Sequence, residues 1–294
     1  MMLLPTSTTH EHQLLIPVPE GEPRVAIALQ NLRIPGPTPV PTEVLAELAR
    51  PMIDHRGPEF AAMLRRVTAR MQYVFQTSSP VLTFPASGTG GQECAIVNLF
   101  SPGEHVVAIS IGHFGNRFAH IAEHYGLQVS RITFPWGEVA DPSIVEARLS
   151  ELAPYRGVLL THNETSTGVT NDIQTLSAVI RQHHPDALIV VDAVSSLGCI
   201  PLEMDPWDLD VVFTASQKGL MCPPGLMMLA AGTRALAVAV EVGGVALAID
   251  AKDTRAASWY KRFGAIHLLD DPLKLILPLA LIAKAITAAQ IKIR

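Results

Sequence analysis

The chain has 294 residues, a hydrophobic share of 48%, 17% charged side chains and a formal net charge of -5. That length and apolar content suit one large α/β domain, or a large domain with a smaller appendage, and exclude a disordered or fibrous chain. The net negative charge, with no block rich in Lys and Arg, disfavours nucleic acid and anionic membranes as partners.

The amino terminus, MMLLPTSTTHEHQ, has no basic leader region and breaks its apolar run at Pro5, so a secretory signal is not expected. Residues 1–31 read as an N-terminal extension. Ile34 to Pro41, IPGPTPVP, is an extended Pro-rich opening, with a helix expected from about Thr42. Short apolar runs then alternate with helical patterns. VLTF leads to a helix from about Gly90, HVVAIS to NRFAHIAEHYG, LQVSRITF to PSIVEARLSELA, and GVLLTHN to DIQTLSAVIRQHH; ALIVVD and DVVFTAS follow. Strands apolar throughout and separated by amphipathic helices predict an α/β domain, a mainly parallel sheet with helices on both faces.

Organisation weakens after about Glu241. The apolar stretch LKLILPLALIAKAITAAQIKI is interrupted by Lys274, Pro278, Lys284 and Lys292, which is too broken for a membrane span, and it reads as a packed helix. Cys94, Cys199 and Cys222 form no C-x-x-C pair, so neither a disulfide framework nor a thiolate metal site is expected. A cytoplasmic protein fits that usage.

In such sheets, functional groups collect beyond the carboxyl ends of the strands. Ser87 after VLTF, Asn163 after GVLLTH, Asp192 closing ALIVVD and Lys218 soon after DVVFTAS all fall there. Burial beside a strand end lowers a lysine pKa and favours the neutral amine that forms a Schiff base. The competing reading of Lys218 is a stem lying on apolar surface with its amine in water. Asp192 lies 26 residues earlier, about one strand–crossover–strand unit. A carboxylate there suits pyridoxal phosphate, whose pyridine nitrogen it keeps protonated; alternatively, it caps the loop DAVSSLG. Ala86 to Glu93, ASGTGGQE, is a turn of small residues opening a helix. Its free N–H groups, the helix dipole and the hydroxyls of Ser87 and Thr89 suit a phosphate. The turn lacks the third glycine of G-x-G-x-x-G and a Walker A lysine. His120, Glu123 and His124, in HIAEH, match an inverted zinc-peptidase pattern; an ordinary amphipathic helix is the other reading.

In order along the chain, PGPTPVP, DHRGPEF, SGTGGQE, GHFGNRF, THNETSTGV, VDAVSSLG and SQKGLMCPPG resemble the class V aminotransferases, in the alanine-glyoxylate and serine-glyoxylate (serine-pyruvate) family. The likeness covers roughly Leu32 to Val240. It implies a fold-type I large domain over 32–241, pyridoxal 5'-phosphate as cofactor, small amino-acid and 2-oxo-acid substrates, and a homodimer. On that resemblance, Lys218 forms the internal aldimine and shuttles the proton, and Asp192 is the pyridinium partner. Ser87, Gly88 and Thr89 form the phosphate cup with Gln217 beside it. Phe114 stacks on one face of the ring and Val194 covers the other. Thr165 is a hydroxyl neighbour, and Gly36 lies where the substrate carboxylate approaches the backbone. Asn163 and Glu164 are read either as loop support or as direct contacts.

Gln217 in place of histidine before Lys218 argues against a cysteine desulfurase. Family members continue into a smaller domain that supplies an arginine for the substrate carboxylate. Residues 242–294 resemble it poorly and read as a divergent, incomplete C-terminal segment. Arg255, Arg262 and Arg294 are candidates for that arginine by type alone. Two alternatives stand beside the transaminase reading: a catalytically impaired cofactor-binding relic or subunit, and the zinc peptidase.

Overall fold

The computed structural model describes residues 32–241, 246–250, 254–261, 266–268 and 271–278. Two helices come first, α1 (Thr42–Leu48) and α2 (Pro58–Phe75). Pro58 opens α2 where its missing N–H would have no helical partner, and Gln76 ends it in a left-handed conformation. The alternating part follows as β1 (Val81–Pro85), α3 (Gly88–Leu99), β2 (His105–Ser110), α4 (His113–His124), β3 (Gln128–Thr133), α5 (Pro142–Ser150) and β4 (Gly157–Thr161). A short hairpin, β5 (Asn163–Glu164) and β6 (Val169–Thr170), precedes α6 (Ile173–His183), β7 (Leu188–Asp192), β8 (Val211–Ala215), β9 (Leu226–Ala231) and α7 (Thr233–Glu241).

Seven strands form one sheet in the order β1-β9-β8-β7-β4-β2-β3. Pairing is parallel from β8 through β3, and β9 is antiparallel to both of its neighbours. The mainly parallel α/β expectation is therefore met. β9 itself, LMMLAA, was not anticipated as a strand. The helix expected from about Gly90 begins earlier, at Gly88, because the Ser87 hydroxyl caps it by accepting the Gly90 N–H at 3.3 Å.

Strand alternation sends side chains to both faces. Val107, Ile109, Val158, Leu160, Ile189 and Val191 pack with Ile173, Leu176 and Ile180 of α6 and Val145 of α5. Val106, Ala108, Leu159, Val190 and Phe213 pack on the other face with Ile96 of α3 and Phe118 of α4. Each such fully buried large side chain contributes about 1.5–3 kcal/mol. Two apolar layers thus hold β4, β7 and β8 in a register that aligns Thr161, Asp192 and Phe213 at one end of the sheet.

Further along are β10 (Ala246–Asp250), α8 (Thr254–Lys261), β11 (Ile266–Leu268) and β12 (Asp271–Pro278). The three strands form a separate antiparallel sheet in the order β10-β12-β11. The helix expected across this apolar stretch is corrected for residues 271–278, which are a strand paired to β10 and β11. A short apolar run between Pro272 and Pro278 carries no helical period, and pairing on both sides, as the central strand, satisfies its backbone. The rest of that expected helix, 279–293, and the N-terminal extension, 1–31, lie outside the described residues. No helix among the described residues is long and apolar enough to cross a membrane.

Candidate active site

Six strands of the large sheet run in one direction, so β1, β4, β7 and β8 all end at the same edge. The loops leaving them surround a cavity of ≈ 200 Å³. Its walls bring together Ser87, Gly88 and Thr89 at the start of α3, Phe114 in the first turn of α4, and Thr165 in the turn between β5 and β6. Asp192 and Val194 come from the end of β7, and Gln217 and Lys218 from the turn after β8. Every cofactor-contacting residue expected from the sequence therefore meets in this one place.

Gly36 joins from far away in the chain. The Thr38 N–H donates to the Gln217 carbonyl at 2.9 Å, and the Thr38 hydroxyl reaches the Gln217 and Lys218 carbonyl oxygens. These bonds lay the opening segment across the lysine turn. The Lys218 amine donates to the Pro35 carbonyl at 2.6 Å. A Cβ on Gly36 would fall 2.6 Å from that amine, and φ of +137° is itself a conformation that side chains disfavour.

Electrostatics set Asp192 and Lys218 against burial. Burial pushes the Asp192 carboxyl up to about 6, with the nearby Glu164 charge adding to the rise. The Val194 N–H, the Gln92 amide and the Lys218 charge pull the other way. Burial likewise lowers the Lys218 ammonium, opposed by Asp192. Near neutral pH the cavity therefore holds a carboxylate that is poorly compensated and an amine eased toward its nucleophilic form.

The start of α3 supplies anion-binding geometry: free N–H groups at a helix N-terminus, flanked by the hydroxyls of Ser87 and Thr89. Arg117 on α4 lies beside it, donating to Thr89 Oγ1 at 3.1 Å with its guanidinium 5.6 Å from the Phe114 ring centroid. A Cβ on Gly88 would lie 2.9 Å from Val194 Cγ2, so the turn can press against the cavity wall only as glycine. Three buried polar atoms on the wall, Gln92 Oε1, Thr161 Oγ1 and Gln217 Oε1, have no hydrogen-bond partner among the described residues. Unpaired buried polar groups cost about 1–3 kcal/mol each, so this wall is built for a polar ligand. An aromatic face, an anion cradle, a carboxylate and an amine together fit a planar, phosphorylated, cationic ring carrying an aldehyde.

Glu164 settles as support. It is fully buried and accepts from the N–H groups of Phe114 and Gly115 and from the N–H and hydroxyl of Ser166. Those bonds fix the start of α4 and so place Phe114. Asn163 lines the cavity, held by Ser195 and Thr170. Gln92, Thr161 and Ser195 also line it and were not singled out from the sequence.

Not everything expected is here. Arg255 is exposed on α8, and among the described residues no arginine lines the cavity. Arg262 and Arg294 lie outside the described residues. His120 and His124 border a different, open groove on α4, and Glu123 is not among its lining residues. Glu123 is engaged by the Arg131 guanidinium and by His120, and among the described residues no cluster of three metal-ligating side chains forms. The zinc reading is corrected accordingly: a cation already sits against the carboxylate that would serve as its base.

The sequence pattern of the family described as aminotransferase class V matches residues 35–265. The chain belongs to that family. Relatives include a protein named soluble hydrogenase, small subunit, of Synechococcus sp. (strain PCC 6716), 43% identical over 69% of this chain and 53% of the relative. L-aspartate–glyoxylate aminotransferase of Paracoccus denitrificans is 40% identical over 69% of this chain and 52% of the relative. Among solved structures, the alanine–glyoxylate aminotransferase of Nostoc sp. is similar, with a TM-score of 0.69 and 31% identity, over 80% of this chain and 60% of that one. The chain spans about half the length of the curated relatives it matches. The fold-type I architecture expected of the large domain is shared with these class V structures.

Proposed function

We propose that this chain is a pyridoxal-phosphate-dependent transaminase that moves an amino group from a small amino acid, serine or alanine, to glyoxylate or pyruvate. One observation carries the reading: Lys218 and Asp192 face a single cavity between the start of α3 and the Phe114 ring. Residues 32–241 form the cofactor-binding large domain in this reading, with 242–294 a divergent C-terminal segment. The cysteine usage suits the cytoplasm. Small amino and 2-oxo acids are the substrates, and the working form is a homodimer, as the family resemblance implies. A single species of twice the chain mass on gel filtration tests the last point.

When bound, pyridoxal phosphate supplies an aldehyde for amine exchange and a protonated ring that accepts the electron pair left on the substrate alpha carbon. The protein residues divide the remaining work. The N–H groups opening α3, with the Ser87 and Thr89 hydroxyls and Gln217, hold the phosphate. Phe114 and Val194 would flank the ring, with the Thr165 hydroxyl nearby, and the Asp192 carboxylate would be the acceptor that keeps the ring nitrogen protonated. Lys218 would be the residue that holds the cofactor at its aldehyde carbon, and its Nζ, when free, would be the base placed to take the proton from the substrate alpha carbon. On the family resemblance, the Gly36 backbone, packed beside that amine, would be where the substrate carboxylate approaches.

Borohydride reduction of the cofactor-loaded protein, followed by peptide mapping, tests the assignment. The label is expected on Lys218 and on no other lysine, and Lys218→Ala should lose at least about 10³-fold in turnover. Retained turnover in that variant refutes the reading. The lack of an arginine among the described cavity walls favours a second reading, a cofactor-binding protein without turnover. A labelled Lys218 with a spectrum unchanged by L-serine and L-alanine would support it.

A further inference from the structure

Gln92 lies near the start of α3 with only 1% of its surface exposed. Its neighbour Gly91 makes the placement possible. A Cβ there would fall 2.6 Å from Phe213 Cδ2 on β8, so only glycine lets α3 lie this close to the sheet. From that position Gln92 Nε2 donates to Asp192 Oδ2 at 2.8 Å and lies 3.4 Å from the Phe114 carbonyl oxygen. Both partners are acceptors, which fixes the amide orientation: turned over, Oε1 would face a carboxylate and a carbonyl. The second carboxylate oxygen, Asp192 Oδ1, accepts the Val194 N–H at 2.9 Å. One donor on each oxygen pins the plane of the carboxylate.

We propose that Gln92 is a positioning residue that holds the Asp192 carboxylate as an acceptor facing the cavity, and so sets the pH below which the cavity loses its anion. The inference deepens the transaminase reading and rests on it for the role of Asp192 toward the cofactor ring. The donor on each oxygen bonds the charged carboxylate more strongly than the neutral acid. The Gln92 amide therefore favours the charged form, against the burial that pushes this carboxyl up to about 6.

Other charged and titratable groups around Asp192 come from several elements. Glu164 on β5 raises its pKa, and Lys218 after β8 lowers it. His162, just past β4, donates its main-chain N–H to the Asp192 main-chain oxygen, and burial lowers its ring to about 4. Arg117 on α4 is turned to Thr89. Gln92 is the side chain that donates to the carboxylate itself among the described residues.

The test titrates the Asp192 carboxyl carbon by NMR in cofactor-free protein, with the signal assigned by its loss in Asp192→Asn. A hydrogen bond to a charged group, converted to proton affinity, amounts to about one pH unit. The midpoint should rise by about that much in Gln92→Met, which keeps the shape and removes the donor. It should rise further in Gln92→Glu, which sets a second carboxylate against the first. In the wild type, the Gln92 side-chain amide resonance should titrate with the Asp192 midpoint, a measurement that needs no variant to fold. At pH 6, Gln92→Met should bind pyridoxal phosphate about fivefold more weakly than wild type, with the difference closing by about pH 8.

An Asp192 midpoint unmoved in both variants, or a Gln92 amide indifferent to that titration, overturns the proposal. The titrations need no cofactor. Failure of the wild type to take up pyridoxal phosphate would refute the transaminase reading and leave the Gln92–Asp192 coupling to be judged on its own.

Discussion

Two buried aspartates sit at opposite ends of the same sheet. Asp210, at the start of β8, is 2% exposed, and Asp192, at the end of β7, is 5% exposed. Asp210 is saturated from within: Arg181 and Arg234 donate to its two oxygens, and the Ile189 N–H adds a third bond at 2.7 Å. Asp192 receives two neutral donors, and among the described residues no cation contacts its carboxylate. Burial is the same; compensation differs. A buried carboxylate with its counter-charges supplied by the fold ties elements together, whereas one left short of positive charge beside a cavity is set to receive a cationic ligand.

The sharpest way to break the comparison is to neutralise each in turn. Asp192→Asn removes a charge the fold does not need, so the protein should stay folded while turnover drops about 10²–10⁴-fold, read by stopped-flow and thermal melting on one sample. Asp210→Ala should do the opposite. It leaves the buried Ile189 N–H without its acceptor and leaves Arg181 and Arg234 to the Asp208 carboxylate alone, and a loss of about 1–3 kcal/mol is expected in urea unfolding. Any Asp210→Ala protein that remains folded should still take up cofactor. If Asp192→Asn unfolds as readily as Asp210→Ala, the two sites are not different in kind.

The contrast also separates what can be read from the sequence from what cannot. Apolar runs alternating with amphipathic patterns identify the α/β sheet, because two-sided burial leaves a nearly continuous apolar strand such as LIVVD. Lys218 and Asp192 stand out because each closes or follows such a strand. β9 does not stand out: LMMLAA has no β-branched residue, and Leu, Met and Ala favour helix by propensity, yet pairing between β1 and β8 makes it a strand. The strand β12 was concealed for a related reason, an apolar run too short to show its period. Gln92 is visible in SGTGGQE only as a polar residue on a helix. Its contact with Asp192 depends on how closely Gly91 lets α3 approach Phe213, a property of the packed structure across a separation of 100 residues. Glu164 was legible as a loop acid, but its work on the N–H groups of α4 needed the fold.

The smallest effect expected is one of pH, and it joins Asp192 to its neighbour His162. His162 is 2% exposed, its Nδ1 has no partner among the described residues, and its ring stands edge-on to Trp207. Burial lowers it to about 4, below its ordinary 6.5. In the unfolded chain it takes a proton first, so its contribution to stability is complete above pH 6.5 and lost as pH falls toward 4. Asp192, raised from 3.8 to about 6, has the opposite sign: its contribution is complete below pH 3.8 and lost as pH rises through 6. Each is worth up to about 3 kcal/mol, and across pH 4–6.5 they oppose one another. Unfolding free energy of the cofactor-free protein should therefore change little over that window. Asp192→Asn should expose the histidine and make stability fall steeply with acid, whereas His162→Phe, which keeps an aromatic ring against Trp207, should let stability rise instead. Parallel profiles in the two variants would mean that Asp192 does not carry a proton near pH 6 in the folded state. The cavity carboxylate would then be as well compensated as Asp210.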